Sequence, residues 1–175
     1  KGIELKGKYL GIVGVGKIGR RIGRIARGFG MNLIGYDVVP IDQQFTREVG
    51  LITTDLNTLL SSADFVTFHV SLTDDTRHMI NEQTLKLMKK TAYIINTSRG
   101  AVIDEVALYK ALKEGKIAGV ALDVFEVEPP TNNELVKLPN VICTPHIGAQ
   151  TVEAQELAAN VIAEQIIQIV RQSEF

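Results

Sequence analysis

The sequence predicts an α/β fold, a doubly wound parallel sheet forming a single domain, and three observations carry that prediction. Short apolar runs rich in β-branched and aromatic residues alternate with segments of helical period. A glycine-rich turn, Gly14-Val15-Gly16-Lys17-Ile18-Gly19, joins the first run to the first helical segment. The second run ends in an acid, Asp37, 18 residues beyond Gly19. With right-handed crossovers, such an order yields a sheet whose ligand crevice lies beyond the carboxyl ends of the strands.

Taken in order, Tyr9-Leu10-Gly11-Ile12-Val13 reads as a buried strand. The helix after the turn, 17–28, places Ile18, Ile22, Ile25, Ala26 and Phe29 on one face. Further strands are expected at 33–36, 64–68, 92–95, 118–122 and 140–143, and further helices at 43–49, 55–61, 81–88 and 104–114. Thr54 or Asp55, Asn81 and Asp104 are the residue types that cap helix N-termini. Glu128-Pro129-Pro130-Thr131-Asn132-Asn133 is the clearest loop. Residues 1–150 thus form the sheet domain, and 151–175 form a long helix starting at Thr151. Its apolar stripe runs through Ala154, Leu157, Ala158, Val161, Ile162, Ile166, Ile169 and Val170, with Ile167 off the stripe. That stripe either packs beyond this domain or joins its core.

A G-x-G-x-x-G turn alone is a weak signal. Between a strand and a helix, with an acid at the end of the next strand, it becomes a dinucleotide fingerprint of the Rossmann type. Gly14 allows the tight turn, Gly16 lets the backbone approach a pyrophosphate, and Gly19 lets the helix pack closely on the sheet. The helix N-terminus offers unpaired N–H groups and partial positive charge to the phosphates. Asp37 accepts from the adenosine ribose hydroxyls and repels a 2′-phosphate, and no Arg or Lys lies between 38 and 46. NAD is therefore expected over NADP.

Composition narrows the classes. A chain of 175 residues, 45% hydrophobic and 22% charged, is ordinary for a globular protein. Its net charge of −1 argues against a nucleic-acid or acidic-membrane partner. Arg20, Arg21, Arg24 and Arg27 on the first helix read as a solvated face. The lone cysteine, Cys143, excludes an internal disulfide and fits a reducing, cytoplasmic setting; within its apolar run it reads as a core residue. No apolar stretch reaches membrane-spanning length, and no metal site is expected. The start at Lys1, without Met, points to a fragment.

Polar residues gather where strands should end: Asn96-Thr97-Ser98-Arg99-Gly100, then Asp123 to Pro130, then Thr144-Pro145-His146-Ile147-Gly148. A guanidinium, a carboxylate and an imidazole on one rim suit alcohol dehydrogenation. A base must take the hydroxyl proton as hydride leaves carbon, and imidazole titrates nearest neutral pH. A neighbouring carboxylate orients the ring and favours its imidazolium. A guanidinium can hold a substrate carboxylate bidentately.

At these residues the chain resembles the nucleotide-binding domain of the D-isomer-specific 2-hydroxyacid dehydrogenases. The carrying motifs are 9–19 with Asp37, Asn96 to Gly100, Leu122 to Pro129, and Thr144 to Ala149. The resemblance implies Arg99 binding the substrate carboxylate and polarising the carbonyl, His146 as acid/base and Glu128 as its partner. It implies NAD(H) lined by Gly14, Gly16, Lys17, Ile18, Gly19, Asp37, Val70, Ser71, Thr97, Ser98, Arg99, Asp123, His146 and Gly148. Lys17 and Ile18 would touch the pyrophosphate, and Asp123 would lie near the nicotinamide carboxamide. Glu128 speaks against the formate dehydrogenase branch, which has glutamine there. Ser71 departs from the family, which has proline at that position.

The substrate would be a small 2-hydroxy or 2-keto acid, and the assembly a homodimer. Family members resemble a two-domain clamp whose substrate domain comes from both chain ends, so this chain is expected to bind NAD(H) with little turnover. The resemblance extends to transcriptional corepressors that use NAD(H) occupancy to control association. Cofactor-dependent capture of a partner protein separates that binding module from an enzyme. His69 and His78 read as structural, and Glu126 as solvent-facing.

Overall fold

The computed structural model describes residues 2–173. The chain forms two compact units, residues up to Thr144 and residues from Pro145 onward.

The first unit is a seven-stranded sheet in the order β3-β2-β1-β4-β5-β6-β7, parallel throughout. Its strands are β1 (Tyr9–Val13), β2 (Asn32–Tyr36), β3 (Leu51–Thr53), β4 (Phe65–Phe68), β5 (Tyr93–Asn96), β6 (Gly119–Leu122) and β7 (Val141–Cys143). Its helices are α1 (Lys17–Gly28), α2 (Gln43–Val49), α3 (Leu56–Ser62), α4 (Glu82–Leu85) and α5 (Glu105–Lys113). The doubly wound prediction holds. The strand β3 was not expected: three residues after Gly50 are too few to show a period. The expected helix at 81–88 is a single turn, α4.

The order reverses between β1 and β4, so right-handed crossovers put the helices of the two halves on opposite faces. Two separate cores record this. Ile22 and Ala26 of α1 and Phe45 and Val49 of α2 pack with Leu10, Ile12 and Leu33. Leu59 and Leu60 of α3, Leu85 of α4 and Leu108 and Leu112 of α5 pack with Val66, Phe68, Ile94 and Val120.

The expected apolar face of α1 divides. Ile18, Ile25 and Phe29 are 62%, 57% and 59% exposed. Of that face only Ile22 and Ala26 pack inward, and the helix otherwise rests on Gly19 and Gly23. A Cβ on Gly19 would run into the Gly14 carbonyl, and one on Gly23 would meet Phe45 Cζ at 2.9 Å. The backbone sits so close to the sheet that only small residues fit beneath it. Cys143 is corrected: it is exposed, at the end of an edge strand with a neighbour on one side only.

Helix entries follow local chemistry. Asp55 caps α3 by accepting from Thr58 N, Asn81 forms a capping box with Thr84, and Asp104 caps α5 by accepting from Ala107 N.

The second unit carries α6 (Val152–Ser173). Thr151 Oγ1 accepts from Ala154 N at 3.1 Å, as an N-cap does. Leu157, Val161, Ile162, Ile166, Ile169 and Val170 form an exposed apolar stripe. No helix among the described residues is long and apolar enough to cross a membrane.

Candidate cofactor and active site

The strand ends of the first unit place Gly14, Asp37, His69, Thr97 and Asp123 immediately after β1, β2, β4, β5 and β6. Gly14 sits at φ +90°, and a Cβ there would lie 2.6 Å from the His69 carbonyl oxygen. The site of a Cβ on Gly16 is open, with nothing within 4 Å. Gly16 starts α1 without a side-chain cap, and no acid occupies the first helical turn. Gly16, Lys17 and Ile18 at this helix start are all exposed. An uncapped helix end with room above it fits a pyrophosphate.

Asp37 has a structural task that the sequence did not reveal. Its Oδ2 accepts from Val15 N at 2.7 Å and its Oδ1 from Val39 N at 3.0 Å. The carboxylate thus ties the end of β2 to the middle of the glycine turn. Val70, half-buried, borders Gly14, its Cγ1 3.0 Å from where a Cβ would be. Ser71 is exposed, and its carbonyl accepts from Thr76 Oγ1 at 2.7 Å.

After β5, the organiser is Asn96, which is 1% exposed. Its Oδ1 accepts from Ser98 N at 3.0 Å and Ser98 Oγ at 2.8 Å, while its Nδ2 donates to the Arg99 carbonyl at 2.9 Å. That closes the turn, buries Ser98, and leaves Thr97 and Arg99 exposed. Arg99 Nη1 donates to the Ser98 carbonyl at 2.6 Å, which holds the guanidinium over the turn. Gly100 lies against the next loop: a Cβ there would overlap the Phe125 carbonyl group. The Arg99 and Glu128 loops are thereby packed backbone to backbone.

Asp123 is buried, and its Oδ1 accepts from Thr144 Oγ1 at 2.5 Å. Glu128 is exposed, and its Oε1 accepts from Phe125 N at 3.0 Å. A carboxylate pair braces this loop from behind. Glu105 Oε1 accepts from Glu126 N at 2.7 Å, and Glu126 Oε1 accepts from Glu105 N at 3.2 Å. Asn133 Nδ2 donates to Glu105 Oε2 at 2.6 Å, and His78 Nε2 lies 3.2 Å from Glu126 Oε1. Burial raises the Glu105 carboxyl above the usual glutamate range. Glu126 is exposed, as expected, and is anchored by these bonds.

His69 Nε2 lies 3.0 Å from Thr67 Oγ1, and burial lowers the ring's pKa below the ordinary histidine value. His146 and Gly148 belong to the second unit; His146 is exposed and adopts φ 54°, a left-handed conformation uncommon outside glycine. Asn96 and Thr144 stand in the strand-end motifs without an assigned role, and the structure makes them the polar residues that organise these turns. Their signal was position alone, a hydrogen-bonding side chain at the end of a strand.

The sheet, the reversal point and the glycine turn define a dinucleotide-binding domain. A family model described as D-isomer specific 2-hydroxyacid dehydrogenase, NAD binding domain, matches residues 1–148. The chain belongs to this family, and its cofactor is NAD. It is 53% identical over 172 residues to a D-3-phosphoglycerate dehydrogenase of Methanocaldococcus jannaschii, covering 98% of this chain and 33% of that one. It is 53% identical over 166 residues to a glyoxylate reductase of Thermococcus litoralis, covering 95% and 50%. Among solved structures it is similar to a D-lactate dehydrogenase from Aquifex aeolicus complexed with NAD and lactic acid. That match has a TM-score of 0.92 at 37% identity and covers 98% of this chain and 56% of the other. The chain thus spans a third to half of the length of the curated relatives it matches.

Proposed function

We propose that this chain is the cofactor-binding part of a dehydrogenase that oxidises the 2-hydroxyl carbon of a D-2-hydroxy acid, or reduces the corresponding 2-keto acid. The observation that carries the reading is the gathering of the open glycine turn, Asp37, the Asn96-braced turn with Arg99, and the Glu128 loop on one strand rim. NAD supplies the hydride acceptor. Arg99, already fixed through Nη1, presents its remaining N–H groups to the substrate carboxylate and carbonyl oxygen. The His146 imidazole takes the hydroxyl proton as the carbonyl forms and returns it in the reverse direction. The Glu128 carboxylate favours the imidazolium that results. Lys17 and Ile18 meet the pyrophosphate, Thr97 and Ser98 line the cofactor, and Asp123 meets the carboxamide. Gly148 and Val70 complete the lining, with Ser71 in the loop over the adenine.

The finer reading is a D-3-phosphoglycerate dehydrogenase serving serine biosynthesis. A second reading is a glyoxylate or hydroxypyruvate reductase, supported by the equal identity to a glyoxylate reductase. A homodimer formed through this domain and a cytoplasmic location go with either. Calorimetric titration of the chain with NADH and with NADPH tests the cofactor site: tight NADH binding and much weaker NADPH binding are expected, and binding of neither overturns it. In a version carrying the substrate-binding residues, the ratio of kcat/KM for 3-phosphohydroxypyruvate over glyoxylate separates the two substrate readings.

A further inference from the structure

Val15, the central residue of the glycine turn, is held at both of its peptide groups by side chains. Its N–H goes to Asp37 Oδ2 at 2.7 Å, and its carbonyl accepts from Arg20 Nε at 3.2 Å. The same guanidinium lies with Nη1 3.6 Å from Asp42 Oδ2 and with its carbon 5.9 Å from the Phe45 ring centroid. Asp42 is fixed in turn, because its Oδ1 caps α2 by accepting from Gln44 N at 2.7 Å and Phe45 N at 3.0 Å. The segment 37–42 is therefore pinned to Val15 twice, directly by Asp37 and through Arg20 by Asp42. Arg24, the other guanidinium over Phe45, is fully engaged by Glu48 with bonds of 2.6 and 2.8 Å.

A 2′-phosphate on the adenosine ribose would have to enter where Asp37 stands. Arg20 is the cation that shares Val15 with that carboxylate, so it is the group placed to answer such a phosphate. We propose that Asp42, by holding Arg20 on the Val15 carbonyl, withholds this guanidinium from a 2′-phosphate and so acts beside Asp37 as a second determinant of NAD over NADP. The inference rests on the cofactor site described above. Planar geometry matters: one guanidinium can bond the carbonyl and face the carboxylate together, which an ammonium does poorly. The backbone donors Phe45 N and Gln44 N, with Arg20 after them, hold the Asp42 carboxyl below the usual aspartate range, so it stays charged at neutral pH.

The test compares dissociation constants for NADH and NADPH in the parent chain, Asp42→Asn, and Asp42→Asn combined with Arg20→Gln. Asparagine keeps the α2 cap and removes the charge. The NADPH/NADH ratio of dissociation constants should fall about fivefold in Asp42→Asn, the scale of one partly exposed charge interaction. It should return toward the parent value when Arg20 is also replaced. An unchanged ratio in Asp42→Asn, or a fall that survives the loss of Arg20, overturns the proposal. If thermal melts show Asp42→Asn to be unfolded, Asp42→Ser gives the same comparison with another capping residue. A parent chain that binds neither dinucleotide defeats the cofactor site itself, a result separate from parent binding with variants that match it.

Discussion

Gly14 and Gly16 lie two residues apart and answer to different constraints. Gly14 is needed by the fold, since its φ of +90° and the His69 carbonyl 2.6 Å from a Cβ leave no room for a side chain. Gly14→Ala should cost about 1–3 kcal/mol in denaturant unfolding, from the backbone conformation alone. Gly16 meets no such constraint from the fold, because a Cβ there meets only open space, and in the proposed site it is the ligand that requires it. Gly16→Val should leave the melting curve near that of the parent and weaken NADH binding at least about tenfold. Their places in the fingerprint already assign the two glycines different jobs, and the surroundings supply the physical reason. Asn96 was harder still to read: its three bonds to the turn involve nearby backbone and Ser98, a pattern shared by many asparagines at strand ends. Asn96→Ala would strand buried Ser98 and should cost about 1–3 kcal/mol, with the loss read by urea unfolding. His69 adds a pH term. Burial lowers its pKa in the folded state, so its contribution is full above the unfolded value of about 6.5 and is lost as pH falls toward the folded value. His69→Gln should therefore lose less of its melting temperature between neutral and mildly acid pH than the parent does.

At the scale of elements, α1 shows what hydrophobic periodicity misses. Its isoleucines mark an apolar face, yet the face against the sheet is Gly19, Gly23 and Ala26. Close approach won over apolar area, because the strand-to-helix turn brings the axis down onto β1 before the side chains can interpose. Ile25→Ser should therefore change unfolding free energy by no more than about 0.5 kcal/mol, as at other exposed positions. Gly23→Val, pressed against Phe45, should cost about 1–3 kcal/mol. The reverse ranking would restore the periodic reading. The strands were legible because continuous apolar runs are what a sheet covered on both faces requires. β3 escaped because an edge strand of three residues needs little more than Leu51 to bury. The arginines of α1 also divide: Arg20 and Arg24 engage α2 and Phe45, an arrangement that depends on where α2 lands and so leaves no trace in the local sequence.

At the scale of the whole first unit, handedness leaves one part of the sheet without a helix from that unit's described residues. The crossovers after β4, β5 and β6 carry their helices and turns to the α5 side, while α1 and α2 cover only the β1–β3 end of the other. Residues in register with Leu10 and Ile12, namely Phe65, Tyr93, Ile95, Ala121 and Ile142, line an apolar groove of about 460 Å³ on that side. Phe65 and Tyr93 stack across it at 5.4 Å. The chemistry on the rim is similarly open: Arg99 and Glu128 are both exposed. Hydride transfer gains from fixed substrate geometry and from exclusion of water, and a misplacement of about 1 Å can cost a hundredfold. The groups proposed to hold the dinucleotide, by contrast, are fixed by this chain's own hydrogen bonds. The two properties should therefore separate. The chain should bind NADH with an affinity within about tenfold of a full-length relative, yet reduce 2-keto acids at least about a hundredfold more slowly, measured as NADH consumption under saturating cofactor. Turnover equal to that of the relative would mean that Arg99, Glu128 and His146 position the substrate without help, and the division between holding the cofactor and closing over the substrate would have to be given up.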